Sequence, residues 1–140
     1  MELSLEMAEL TLAAAKLMAE EIGVHMNIAI VDVGANLKLF CRMDNAWLGS
    51  MDIAIKKAKT ARFFNMETGE IGKLSQPGGP LYQVEISNGG LVSFPGGIPL
   101  KNKEGEIIAA IGVSGGSIDQ ARKVAAAGVF AFADNTLNKD

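Results

Sequence analysis

The chain has 140 residues, 49% of them hydrophobic and 21% charged, with a formal net charge of -3 at pH 7. This balance describes a single globular domain over residues 1–140 with a core of its own, and the slight acidity without a basic arm excludes a nucleic-acid surface. A lone cysteine, Cys41, excludes an intramolecular disulfide, no stretch approaches the roughly 20 apolar residues of a membrane span, and the opening MELSLEMAELTL lacks the basic and apolar segments of a secretory signal, so a cytoplasmic protein is expected.

The first predicted element is a helix over residues 4–22, capped by Ser4 and closed by Gly23, with Met7, Leu10, Ala14 and Leu17 as its apolar stripe. HMNIAIVD reads as a strand buried on both faces and central in a sheet. The turn VGAN leads into LKLFCRM, where Leu37, Leu39, Cys41 and Met43 alternate with polar or aromatic neighbours, which makes a hairpin with one drier face. A second helix follows NAWLG, with Ser50 as its predicted cap and Ala54, Ala58 and Ala61 as a strip of small residues that permits close packing.

Residues 69–99 hold half of the sixteen glycines and all four prolines, so only turns and short strands are expected there, with LVSF as the best strand. GIPLKNKEGEIIAAIGVSG then reads as a second hairpin about the polar turn KNKEG. The last helix opens at Ser117, with Gln120 completing a capping box and Asp119 suited to the positive helix start. The resulting order, α-β-β-α-β-β-β-α, predicts an α+β domain with an antiparallel sheet of about five strands and helices packed on it.

IGVSGGS, at the junction of the last strand and helix, raises the question of a phosphate loop. Its glycine spacing fits neither the dinucleotide fingerprint nor a P-loop, so Gly112, Gly115 and Gly116 are expected to serve the backbone or a small-anion pocket. GVSGG also misses the last glycine of a nucleophile elbow, and His25, the sole histidine, would have to act as base for Ser114. Glu67 with Glu70, and Asp44 with Asp52, lack the His/Cys density of a zinc centre and read as solvated carboxylates, so no metal ligand set is assigned.

IAIVDVGANLKLFCRMDNA, SMDIAIKKAKTA, QPGGPLY, SNGGLVSF, GGIPL and AAIGVSGG, in this order along the chain, resemble the GlcG/HbpS family, also called the haem-degrading or DUF336 family, which includes the C-terminal domain of PduO-type corrinoid adenosyltransferases. The resemblance implies a profilin-like or PAS-like layered domain, a homo-oligomer, and haem binding in several members. It also implies a small-ligand-binding accessory role in glycolate, propanediol or glycerol metabolism, with operon proteins as partners. A haem-degrading enzyme and a non-haem accessory of cobalamin-dependent dehydratases are the alternatives.

Haem requires an axial His, Cys, Tyr or Met donor in a mostly apolar cleft. His25 is the candidate, set against the reading of a loop histidine, while Cys41 reads as a small core residue. A second candidate pocket is expected where the glycine turns gather Tyr82, Ser87, Asn88, Gly96, Gly97, Ser114, Gly115 and Gly116 around a small ligand. The last helix distributes Val124, Val129, Phe130 and Phe132 over more than one face, which leaves a face for a second subunit.

Overall fold

A computed structural model describes residues 2–138. The elements run α1 (Leu5–Glu21), β1 (Asn27–Asp32), β2 (Leu37–Arg42), α2 (Gly49–Phe64), α3 (Thr68–Leu74), β3 (Gly97–Lys101), β4 (Ile107–Ser114) and α4 (Ile118–Asn138), with a single 3-10 turn at Val84–Ile86. The four strands form one antiparallel sheet in the order β2-β1-β4-β3, so β1 is central as expected. Helices α1 and α4 cover one face and α2 the other, giving three layers of an α+β domain.

Both hairpin turns are built by one side chain each. Asp32 Oδ1 accepts from the amides of Gly34 (3.0 Å) and Asn36 (2.9 Å), and Asn102 Oδ1 accepts from those of Glu104 (3.0 Å) and Glu106 (2.9 Å). The α4 capping box is complete: Gln120 N donates to Ser117 Oγ at 3.1 Å, and Ser117 N donates to Gln120 Oε1 at 2.9 Å. Ser4 caps α1 by accepting from Met7 N at 3.1 Å.

Four expectations are corrected. Residues 91–94 form no strand, because side chains take their backbone groups: Val92 N donates to Thr60 Oγ1 at 3.3 Å, and Phe94 O accepts from Thr68 Oγ1 at 2.8 Å. The sheet therefore has four strands. The glycine-rich middle contains α3, whose Gly69 and Gly72 are poor helix formers required by the neighbouring segment; a β-carbon at Gly72 would lie 2.1 Å from Ser93 O. Ser50 lies inside α2, which has no side-chain cap.

The stripe of α1 is rotated as well. Met7, Ala8, Thr11, Ala15 and Ala19 are buried, whereas Leu10 and Leu17 are exposed. Small residues face α4 because the two helices approach closely, and a β-carbon at Gly128 would lie 3.2 Å from Thr11 O. On α4, Val124 and Phe132 enter the core and Phe130 remains 76% exposed.

Backbone-to-backbone packing joins α2 to the sheet. A β-carbon at Gly112 would lie 2.1 Å from Ala54 O and 2.5 Å from Ala58 N, and one at Gly97 would lie 2.5 Å from Lys57 O. Gly112 does not have a positive φ, so it is needed for this contact and not for its conformation. Gly115 (φ 132°) and Gly116 (φ 61°) instead turn the chain from β4 into α4.

Gly112→Ala is expected to lower stability by about 3 kcal/mol, because α2 must lift from the sheet. Chemical denaturation measures this, and a loss below about 1 kcal/mol would contradict the close contact.

Candidate functional site

The sheet's two layers place candidate chemistry in two separate cavities. The first, of about 450 Å³, is lined by Lys16, Glu20, His25, Cys41, Arg42, Met43 and Asp44. His25 precedes β1, and Cys41 stands on edge strand β2 opposite Ile28. Thus the antiparallel pairing of β1 with β2 carries a histidine, a thiol and a thioether to one cleft beside α1.

Cys41 is half-buried, and burial pushes its thiol pKa up. Lys16 opposes the shift, whereas Asp44 and Glu20 add to it, so the sulfur stays protonated near neutral pH. Met43 Sδ accepts from Met26 N at 3.3 Å. His25 is exposed and open to a ligand. Lys16, whose nearest carboxylate is Glu20 at 3.7 Å, and Arg42 supply positive charge at the margin.

The second cavity, of about 150 Å³, lies between the start of α2, the end of β4 and the start of α4, and its lining includes Trp47, Ser50, Lys57, Phe94, Ser114 and Ile118. Of the predicted pocket residues, Ser114, Gly115 and Gly116 line it. Gly96 (φ 128°) lies against it, since a β-carbon there would be 2.8 Å from Lys57 Nζ, while Gly97 packs beneath α2. Tyr82, Ser87 and Asn88 are not brought to this cavity: Tyr82 is exposed, Ser87 Oγ donates to Val84 O at 2.6 Å, and Asn88 Nδ2 donates to Ser87 Oγ at 3.0 Å. Ser114 and His25 line different cavities, so they do not form a nucleophile and base pair in this structure.

Sequence reasoning missed Lys57. It is 1% exposed, its Nζ donates to Val113 O at 2.8 Å, and the ammonium lies 4.9 Å from the centroid of the Phe94 ring. Burial alone lowers its pKa to about 8. The signal was present: position 57 follows Ala54 by three and precedes Ala61 by four, on the small-residue face that packs on the sheet.

The remaining acidic candidates have ordinary surface partners. Glu67 accepts from Arg122 at 2.9 Å, Glu70 from Lys73 at 3.0 Å, and Asp52 pairs with Lys56 at 3.1 Å. Glu85 instead ties a loop together, accepting from Ser75 Oγ at 2.8 Å and from Ser93 Oγ, and these hydroxyls hold its pKa below the usual carboxylate range. A third cleft, of about 390 Å³, lies beside edge strand β3 with Met66, Ile98, Val129 and Phe132 in its lining. Among the described residues, its only sulfur or imidazole donor is Met66.

Comparison with known proteins agrees across nearly the whole chain. The model of the family described as "Haem degrading protein HbpS-like" matches residues 3–130. An uncharacterised 15.0 kDa protein of the dhaT-dhaS intergenic region of Citrobacter freundii is 39% identical over 142 residues, spanning 96% of this chain and 99% of that protein. The crystal structure of Klebsiella pneumoniae protein ORFY, of family DUF336, superposes with a TM-score of 0.90 at 36% identity, covering 94% of this chain and 90% of that one. The crystal structure of a PduOC:heme complex gives a TM-score of 0.87 at 34% identity, covering 92% and 94%.

The buried lysine predicts a pH dependence of folding. The unfolded chain keeps this proton up to about pH 10.5 and the folded chain releases it near pH 8, so between these values the unfolded state binds more protons and stability rises with pH. Relative to Lys57→Met, the wild-type protein should gain roughly 3 kcal/mol across this window, as measured by denaturation at each pH. A difference independent of pH would contradict the burial of the amine.

Proposed function

The chain belongs to the HbpS-like family of haem-degrading proteins, and from this premise we propose that it binds haem in the cleft between α1 and β2, with His25 as axial ligand. The observation that carries the reading is the meeting of His25, Cys41 and Met43 around one cleft of about 450 Å³. Imidazole, thiol and thioether are all iron donors. His25 is favoured among them because Cys41 is held protonated and Met43 sulfur already accepts a backbone hydrogen bond. Lys16 and Arg42 suit the haem carboxylates. The haem complex of the PduOC relative supports the same ligand class.

Bound haem would supply redox and oxygen chemistry, while this chain's residues hold and orient it. We read the protein as an accessory binder in a metabolic pathway of the glycolate, propanediol or glycerol type, the setting that the family resemblance implies. Self-association belongs to the same reading, supported by the exposed apolar side chains Trp47, Leu48, Ile86 and Phe130.

Titration with haemin, followed at the Soret band, is expected to show a saturable shift at one haem per chain. His25→Ala should weaken binding by tenfold or more and alter the spectrum, and Cys41→Ser should leave both nearly unchanged. Wild-type affinity and spectrum in His25→Ala would overturn the assignment of the axial ligand, and a wild-type protein with no saturable shift would overturn haem binding itself.

A further inference from the structure

The second cavity contains an incomplete electrostatic arrangement. Lys57 is charged at neutral pH and almost wholly buried, yet its one hydrogen bond among the described residues is to the neutral Val113 carbonyl. Among the described residues, no carboxylate lines the cavity that it faces. A buried charge ordinarily requires a counter-ion or a full set of hydrogen bonds, and the Phe94 ring 4.9 Å away is not a hydrogen-bond acceptor of that strength, so N–H donors of this ammonium remain for an acceptor from outside.

The rest of the lining matches that requirement. Ser50 and Ser114 are buried hydroxyl-bearing residues in the wall. The cavity also meets the start of the 21-residue helix α4 at Ser117 and Ile118, where the capping box takes up the Ser117 and Gln120 amides and leaves that of Ile118 for a ligand, and where the helix dipole favours negative charge. Across the same sheet face, Asn27 pairs with Ser114 and is fully buried; its Nδ2 donates to the carbonyl of the lining residue Trp47 at 3.0 Å, but its Oδ1 has no donor. Lys57 is thus the group that can meet an anion here, whereas Asn27 Oδ1 is itself an acceptor and does not pair with a carboxylate.

Shape limits the anion. About 150 Å³ and a single cation suit one carboxylate better than a multiply charged phosphate ester, and Trp47, Ile53, Phe94 and Ile118 provide an apolar wall for a short alkyl chain. We propose that this cavity is a second ligand site, distinct from the His25 cleft, which binds a short-chain monocarboxylate against Lys57 and the start of α4. Gly96 is part of the construction, since a side chain there would collide with Lys57 Nζ and with Val113 O.

Sodium butyrate and sodium acetate, titrated at constant ionic strength with sodium chloride as control, test the proposal by NMR. Saturable shifts are expected at the Gly115, Gly116 and Ile118 amides and at the Lys57 Cε and Nζ resonances, with butyrate binding more tightly than acetate. Lys57→Met should weaken butyrate binding at least tenfold while the amide spectrum elsewhere shows an intact fold. Should that variant fail to fold, the wild-type Lys57 resonances decide: a saturable response to butyrate supports the site, and none overturns it. Shifts that are non-saturable, equal to those with chloride, centred on other residues or retained in folded Lys57→Met would also overturn it.

Discussion

The near-contact of two backbones, α2 against β4 and β3, governs the arrangement of this domain. Gly112 and Gly97 leave room for the carbonyls and amides of Ala54, Lys57 and Ala58 at distances where any β-carbon would collide. With Ala54, Ala58 and Ala61 on the helix side, this interface is built almost entirely from small residues. One consequence is that the long side chain of Lys57 cannot lie between the layers; it runs to the cavity at their end, where Val113 O and the Phe94 ring receive it. A second is that α3 and the 91–96 segment are drawn in behind α2 and bound through Thr60 and Thr68.

The two faces of the sheet thereby acquire different chemistry. On the α1 side, the β1–β2 hairpin ends in an open cleft with exchangeable donors and cations at its rim, an environment suited to a large flat group with its own charge. On the α2 side the space is small and the cation is fixed and desolvated, so it favours a small anion. Burial leads at both sites, but at Cys41 Lys16 opposes it and Asp44 and Glu20 add to it, whereas burial alone acts on Lys57.

Much of the fold was legible in the sequence because its signals are local. Ser117 and Gln120 formed the capping box that their spacing implies, the two polar turns made their hairpins, and the alanine strip indicated close packing. The remainder depended on partners far along the chain. Thr68 and Thr60 satisfy the 91–94 backbone, which otherwise reads as a strand, and α3 accepts glycines because Ser93 and Pro95 pass against it. At the sites, Ser114 to Gly116 were readable as a cavity wall, whereas Lys57, one of three lysines in KKAK, is set apart only by its position on the alanine face. The union of His25 with Cys41 required the β1–β2 register, which shifts between Ile30 and Val31 where the sequence carries no sign of it.

Haem in the α1/β2 cleft, and not in the smaller, more apolar groove beside β3, is what the proposal requires. Gallium(III) protoporphyrin IX, a diamagnetic stand-in for haem, allows the whole amide spectrum to be read in the complex. The account predicts that perturbations gather at Lys16, Glu20, His25 and residues 41–44. Perturbations centred instead on Met66, Ile98, Val129 and Phe132 would contradict it.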